Sequence, residues 1–165
     1  MKAPSFISHL IAILLLPFTV TVVIPYFIAP LGNGFIPSSI FIKIAGIIFL
    51  VPGLILFITS LYLFINIGKG TLASWNPTQK LVIAGPYRYC RNPMISGVFF
   101  VLVGESLLFH SAVIFCWALI FFVINNLYFL LFEEPGLLKR FGSEYETYKK
   151  NVPRWIPRLK PFTPK

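Results

Sequence analysis

The chain has 165 residues, of which 57% are hydrophobic and only 12% charged, with a net charge of +9 and a mean hydropathy of +0.83. Soluble domains carry about 25% charged residues, so this much apolar surface exceeds what one small water-soluble core can hide, and a lipid bilayer must solvate most of it. Two cysteines and two isolated histidines exclude a disulfide framework and a metal site; the basic residues flank apolar runs without interleaved aromatics, which excludes a nucleic-acid platform in favour of anionic head groups.

In chain order, four apolar stretches are expected to form spans. Phe6–Ala29 is longer than the core of a signal peptide and runs into Pro30 where small residues would be needed for cleavage, so it is read as a retained span. Ser38–Ile67 exceeds the roughly 20 residues a bilayer demands, and Pro52-Gly53 in its middle is the expected kink. Pro93–Phe109 is short. Ala112–Phe132 follows after only His110 and Ser111, which implies a tight antiparallel helical hairpin. Within these runs Cys116 is expected to pack as a small hydrophobe, and Glu105 to be structural, near Lys43 or interfacial water. Thirteen of the fourteen Lys and Arg fall on the side of both termini and the loop Gly68–Asn92; by the positive-inside rule that side is cytoplasmic.

After the fourth stretch, Leu137, Leu138, Phe141, Tyr145 and Tyr148 recur at helical spacing between charged residues, which predicts an amphipathic helix lying at the membrane interface. Ser143 and Glu146 have the spacing of a capping box that would restart this helix after Gly142. Pro153 and Pro157 then make Val152–Arg158 extended, with Trp155 as an interfacial anchor. The expected fold is an all-α membrane protein, one domain over residues 1–165. It has about four transmembrane helices, with a kinked long second helix and a tight hairpin of the third and fourth. A C-terminal amphipathic helix and extended tail follow on the cytoplasmic face.

Two places concentrate candidate chemistry. Gly85-Pro86 forces a turn and Pro93 suits a first helical position, so the third span opens with unpaired N–H groups and a positive dipole end. With Arg91 beside it, this is a candidate corner for a carboxylate or phosphate, the alternative being ordinary positive flanking of a span. Glu133-Glu134 would close the fourth span, at the helix end where carboxylates are least favoured. They require a cation, either Lys139, Arg140 or Arg91, or a ligand ammonium. Asn126, seven residues earlier, shares a face with Glu133 by periodicity, and Asn125-Asn126 inside a span implies a cavity. One anion corner, one cation corner and the rings of Tyr87, Tyr89, Tyr145 and Tyr148 match a zwitterion with a further positive centre, of which S-adenosylmethionine is one.

The series Gly85-Pro86-Tyr87-Arg88-Tyr89-x-Arg91-Asn92-Pro93-Met94-x-x-Gly97, then Glu133-Glu134-x-x-Leu137-x-x-x-Phe141-Gly142-x-x-Tyr145-x-x-Tyr148, then Val152-Pro153-Arg154, resembles the isoprenylcysteine carboxyl methyltransferase family, part of a wider group that includes phospholipid methyltransferases. The resemblance covers residues 79–159, the catalytic half. It implies methyl transfer from S-adenosylmethionine to a lipid-like or hydrophobic acceptor that arrives from the bilayer. It further implies cofactor contacts from Gln79, Lys80, Leu81, Val82, Tyr87, Asn92, Pro93, Met94, Ile95 and Glu133. Arg91, Glu133 and Glu134 would shape the catalytic pocket, and Asn126, Tyr145, Tyr148 and Arg154 are expected on the acceptor side. Three positions depart from the family: Asn92 where His is common, Ile95 where Tyr is usual, and Phe129 where the eukaryotic enzymes carry an Arg associated with the substrate carboxylate. The last departure argues against a prenylcysteine carboxylate as natural acceptor. The rival readings are a nicotinamide-dependent membrane reductase of similar architecture and a non-catalytic membrane scaffold.

Overall fold

The structure, a computed structural model, describes residues 11–32, 36–69 and 78–163. The expected N-terminal flank Met1–Ser5, the start of the first span at Phe6, His9, and residues 70–77 of the long loop lie outside the described residues. The regular elements are helical: α1 (Ile11–Gly32), α2 (Ile40–Asn66), α3 (Pro93–Leu108), α4 (Ala112–Tyr128) and α5 (Glu134–Asn151), with a short 3-10 turn at Gly85–Arg88. Serine hydroxyls start two of them: Ser39 accepts from the Ile42 N–H at 3.3 Å and Ser111 from the Ile114 N–H at 3.5 Å, each satisfying a donor that a helix start leaves orphaned. His110, with φ of +54°, turns the α3–α4 hairpin within the three residues between the helices.

Three helices are long and apolar enough to cross a membrane: α1, α2 and the continuous helix Ala112–Asn151 that joins α4 to α5. The expected third span is α3, whose 16 residues fall short of the roughly 20 that cross a bilayer. It is nonetheless the most enclosed helix, burying Val98, Val101, Leu102 and Val103 among its neighbours.

The α2–α3 contact is glycine-lined. Gly53 lies so close to α3 that a Cβ there would meet the Phe100 Cβ at 2.9 Å and the Gly97 carbonyl at 3.0 Å. A Cβ on Gly97 would meet the Phe57 backbone nitrogen at 2.7 Å, and the pair Gly46 and Gly104 repeats the arrangement one heptad away. Small residues that admit backbone against backbone are how helices associate where the solvent is lipid and no hydrophobic drive operates. Pro52 lies inside an uninterrupted α2, and its neighbour Gly53 serves this close approach.

The outer face of the bundle is apolar, with Phe41, Ile48, Ile55 and Ile58 of α2 each more than half exposed. Cys116 also faces outward, contrary to its expected packing, because in a lipid-facing helix an exposed small hydrophobe carries no penalty. Glu105 is half-buried in α3 and makes no ion pair with Lys43 among the described residues.

The largest departure is at Glu133-Glu134. The helix of the fourth span does not end there; it widens into a π turn at Phe129–Glu133 and continues as α5 through Pro135. A proline supplies no N–H and crowds the carbonyl four residues back, and a wider turn just before it relieves both. The same device recurs in α1, whose Leu14–Val23 portion is a π-helix containing Pro17 and ending before Pro25. Such insertions are frequent at functional sites. Farther on, Gly142 (φ +53°) breaks α5 where the sequence places the break. The apolar face of α5 packs on protein: Tyr145 and Tyr148 form a small core with Val152, Leu81, Ile83 and Phe162, leaving Leu138 outside.

Candidate functional site

The loop before α3 and the C-terminal tail are laced together. The N–H groups of Arg91 and Asn92 donate to the carbonyls of Pro153 and Arg154 at 2.9 and 3.3 Å. The N–H groups of Arg158 and Phe162 donate back to the carbonyls of Tyr89 and Arg88 at 3.0 and 2.9 Å. Arg88 adds side-chain bonds to the Phe162 carbonyl (2.7 Å) and the Thr163 hydroxyl (2.8 Å). Two prolines keep the tail extended and able to pair in this way. Inside the lacing, the Tyr148 hydroxyl donates to the Tyr87 carbonyl at 2.6 Å. Burial pushes the Cys90 thiol up to about 11 and the Tyr87 phenol higher still, so neither provides an anionic nucleophile at neutral pH.

The two acidic residues have separate fates. Glu134 is 4% exposed and gathers three cations: Arg91 Nη1 at 2.8 Å, Arg154 Nη2 at 2.7 Å and Lys149 Nζ at 2.8 Å. Arg91 Nη1 also donates to the Tyr145 hydroxyl at 3.2 Å. The guanidinium expected to wait for an anionic ligand is therefore held by Glu134, and the N–H groups of Arg91 and Asn92, just before the helix start, are taken by the tail. Burial pushes the Glu134 carboxyl up, but the Lys149 hydrogen bond and the charges of Arg91 and Arg154 outweigh it and hold the group below the usual carboxylate range. A depressed value means that the stabilisation is present above the unfolded carboxyl value, near 4.3, and is lost as pH falls through the lower folded one. The tail is accordingly expected to lose amide-exchange protection at residues 152–158 below about pH 4, before the membrane helices do, in a pH series of hydrogen exchange; equal protection throughout the series would contradict this.

Glu133 has Arg140 Nη2 at 3.7 Å and a hydrogen bond from Tyr128. Arg140 also donates to the Thr78 carbonyl at 3.0 Å, pinning α5 to the loop. Glu133 lines a cavity of about 520 Å³, the principal one among the described residues. Its polar groups cluster at one end: Thr78, Tyr87, Arg91, Asn92, Glu133, Tyr145 and Tyr148, with Asn125 and Tyr128 beside them. The remainder is apolar, formed by Leu16, Pro17 and Val20 of α1, Phe57 and Phe64 of α2, Met94, Ile95 and Val98 of α3, and Trp117, Phe121, Ile124 and Phe129 of the fourth span. From Glu133 back to Trp117 the lining follows one helix for roughly 20 Å at 1.5 Å per residue. Among the described residues, two buried donors at the polar end lack a protein partner, the Asn92 Nδ2 and the Arg91 Nε.

Of the residues expected to contact a cofactor, Leu81, Val82, Tyr87, Asn92, Met94, Ile95 and Glu133 share this cavity, as do Arg91, Tyr145 and Tyr148. Gln79 and Lys80 instead border a separate shallow recess with Phe141 and Glu144, and Pro93 is buried in the first turn of α3. Glu134 and Arg154 stand behind the cavity wall as an ion-pair scaffold. Asn126 is also outside: its side-chain oxygen accepts from Arg154 Nη1 at 3.2 Å and from the Trp155 indole N–H at 3.0 Å. The π turn explains the shift, since it lengthens the repeat and brings Asn125, not Asn126, onto the face of Glu133. Trp155 packs on Phe122 with ring centroids 4.7 Å apart, so it braces the tail against α4. The α1 wall, Trp117 and Thr78 were not anticipated; an indole within an apolar run was the available signal for Trp117.

A family model described as phospholipid methyltransferase matches residues 41–144. The chain is similar to the protein-S-isoprenylcysteine O-methyltransferase of Schizosaccharomyces pombe, 34% identical over 87 residues, which is 51% of this chain and 36% of that protein. It is also similar to the protein of the same description from Mus musculus, 31% identical over 85 residues, 50% of this chain and 29% of that protein. The match thus spans about a third of each relative's length. No solved structure matches the chain.

Proposed function

The chain belongs to the phospholipid methyltransferase family, and from that premise we propose that it transfers a methyl group from S-adenosylmethionine to a lipid-like or hydrophobic acceptor at the cytoplasmic face of a membrane. The observation that carries this reading is the elongated cavity, polar at the end of Glu133, Arg91 and Asn92 and apolar from there to Trp117. Its volume lies in the range of roughly 300–1,000 Å³ typical of small-molecule sites.

The polar end fits the cofactor. Glu133 offers a carboxylate to an ammonium, and the unpartnered Asn92 Nδ2 and Arg91 Nε are buried donors suited to a carboxylate. The rings of Tyr87, Tyr145 and Tyr148 present π faces to a positive sulfur. When bound, S-adenosylmethionine supplies a methyl group activated by the positive charge on its sulfur, displaced in line by the acceptor. What the chain contributes is alignment, which carries much of such a rate. The Glu134 cluster fixes Arg91, the tail fixes the loop backbone, and α5 shuts water from the polar end. Asn92 orients through a neutral amide that donates a hydrogen bond but does not act as an acid or base. Glu133 is the carboxylate on the cavity wall, and it is placed to take a proton where the acceptor is an ammonium; a carboxylate or thiolate acceptor needs no base.

The rest of the reading concerns placement. The distribution of Lys and Arg supports cytoplasmic termini and four crossings, with α3 crossing while sheathed by its neighbours. Phe129 lines the cavity without offering a cation, which supports an acceptor other than a prenylcysteine carboxylate. Glu133→Gln is expected to weaken S-adenosylmethionine binding between about tenfold and a hundredfold, the weight of a charge-assisted hydrogen bond, measured by calorimetry in nanodiscs. Unchanged affinity would remove Glu133 from the site, and no binding by the native protein would leave the scaffold reading in its place.

A further inference from the structure

The apolar length of the cavity has a built end. Leu16, Pro17 and Val20 of α1, Val98 of α3, and Trp117 and Phe121 of α4 line it at the part of the fourth span most distant from Glu133. Trp117 carries the largest side chain of these, and its indole N–H donates to the Val20 carbonyl at 3.1 Å, across the gap between α4 and α1. An indole N–H in an apolar setting needs a partner, so this bond fixes the ring in one orientation and makes it a rigid stop. The acceptor carbonyl lies in the π portion of α1, Leu14–Val23. Farther along, α1 is anchored again: the Ser111 hydroxyl donates to the Ala29 carbonyl at 3.3 Å, and Gly32 sits so tightly on Val113 that a Cβ would meet it at 2.6 Å. The end wall is thus held at two places on one helix.

We propose that Trp117 sets the length of hydrocarbon tail the cavity accepts, which makes it a specificity-determining residue for the acceptor. The proposal rests on the methyl-transfer reading for which end of the ligand reacts. The side chains enclosing this end are apolar apart from the indole N–H, which Val20 already satisfies, so what lies against them is an alkyl or isoprenoid chain. Each methylene buried contributes about 0.8 kcal/mol, a factor of about four in affinity, and a chain one or two carbons too long meets a ring held in place by its indole bond.

The test uses the full chain in nanodiscs of fixed lipid, preloaded with S-adenosylhomocysteine, and alkylamines with tails from hexyl to octadecyl as probes. Thermal stabilisation is read against tail length for the native protein, Trp117→Leu and Trp117→Phe. In the native protein the stabilisation rises with length and then breaks off. Trp117→Leu removes the stop and moves the break to longer tails, raising the affinity ratio of long to short tails about fifteenfold, the worth of roughly two methylenes. Trp117→Phe keeps a ring, loses the indole bond and shifts the break less. An unchanged break in a Trp117→Leu protein that still binds S-adenosylhomocysteine natively overturns the proposal, as does a native protein that shows no break. Should Trp117→Leu fail to fold, an unshifted break in Trp117→Phe together with Val20→Ala decides against it. A clear tail-length break with no stabilisation by S-adenosylhomocysteine itself overturns the methyl-transfer reading and leaves the tail stop standing.

Discussion

Replacing Glu134 with alanine is expected to cost about 3–5 kcal/mol, the usual penalty for removing one partner from a buried ion cluster. At 165 residues that is a fall of about 10 °C in the unfolding midpoint. Lys149, half exposed, regains water readily, but Arg91 and Arg154 are only 11% and 20% exposed and are left charged without their partner. The damage then travels along a stated path. Arg154 releases the tail, whose backbone carbonyls hold Arg91 and Asn92 before α3, and Arg91, a residue of the cavity lining, loses the ion pair that fixes its guanidinium. Cofactor affinity should therefore fall together with stability. Glu133→Gln, by contrast, should reduce affinity with little change in midpoint, because its ion-pair partner Arg140 stays partly hydrated. Thermal unfolding and calorimetry on both variants separate the two roles. A Glu134→Ala protein with native midpoint would show that the cluster is ornamental, and equal stability losses in both variants would remove the distinction between scaffold and wall.

Spacing alone could not tell the two adjacent acids apart; only the family resemblance singled out Glu133 as the cofactor contact. Spacing put both at a helix end, and a pair of carboxylates there called for a cation without indicating which acid would receive it. The answer depends on the π turn at Phe129–Glu133, which just precedes Pro135. Had its demand for a wider preceding turn been used, the register would have moved by one residue and Asn125 would have replaced Asn126 on the cavity face. The strongest local signals did carry through: the Gly85-Pro86 turn, the short hairpin at His110, the break at Gly142 and the extended proline tail all reside in residues whose backbone preferences are narrow. Long-range contacts carried no such mark. Nothing local to Trp155 shows that its indole seeks Asn126 instead of the interface, and nothing local to Leu16, Pro17 and Val20 shows that the first helix walls a cavity whose motifs begin some sixty residues later. In a lipid-solvated bundle the usual guide also weakens, since apolar residues face both in and out, and Cys116 and Leu138 are on the outside for that reason.

Glycine spacing was the unused signal with the greatest structural consequence, and it yields the second large effect. Gly97→Ile is expected to destabilise the bundle by at least about 3 kcal/mol, the upper part of the range for overpacking. The atoms a side chain would strike are the Phe57 backbone nitrogen and the Gly53 carbonyl, and backbone inside a continuous helix cannot swing aside as a side chain can. The helices must separate along their length, and the displaced helix is the one that brings Asn92, Met94, Ile95 and Val98 to the cavity. Loss of binding should accompany loss of stability even though Gly97 does not line the cavity. Gly136→Ala is the matched control, since a Cβ there meets nothing within 4 Å and alanine is the better helix former by about 1 kcal/mol. Unfolding midpoints of the two variants in the same nanodisc decide the matter. A tolerated Gly97→Ile would mean that α2 and α3 do not meet backbone to backbone, and with that contact would go the placement of every cavity residue contributed by α3.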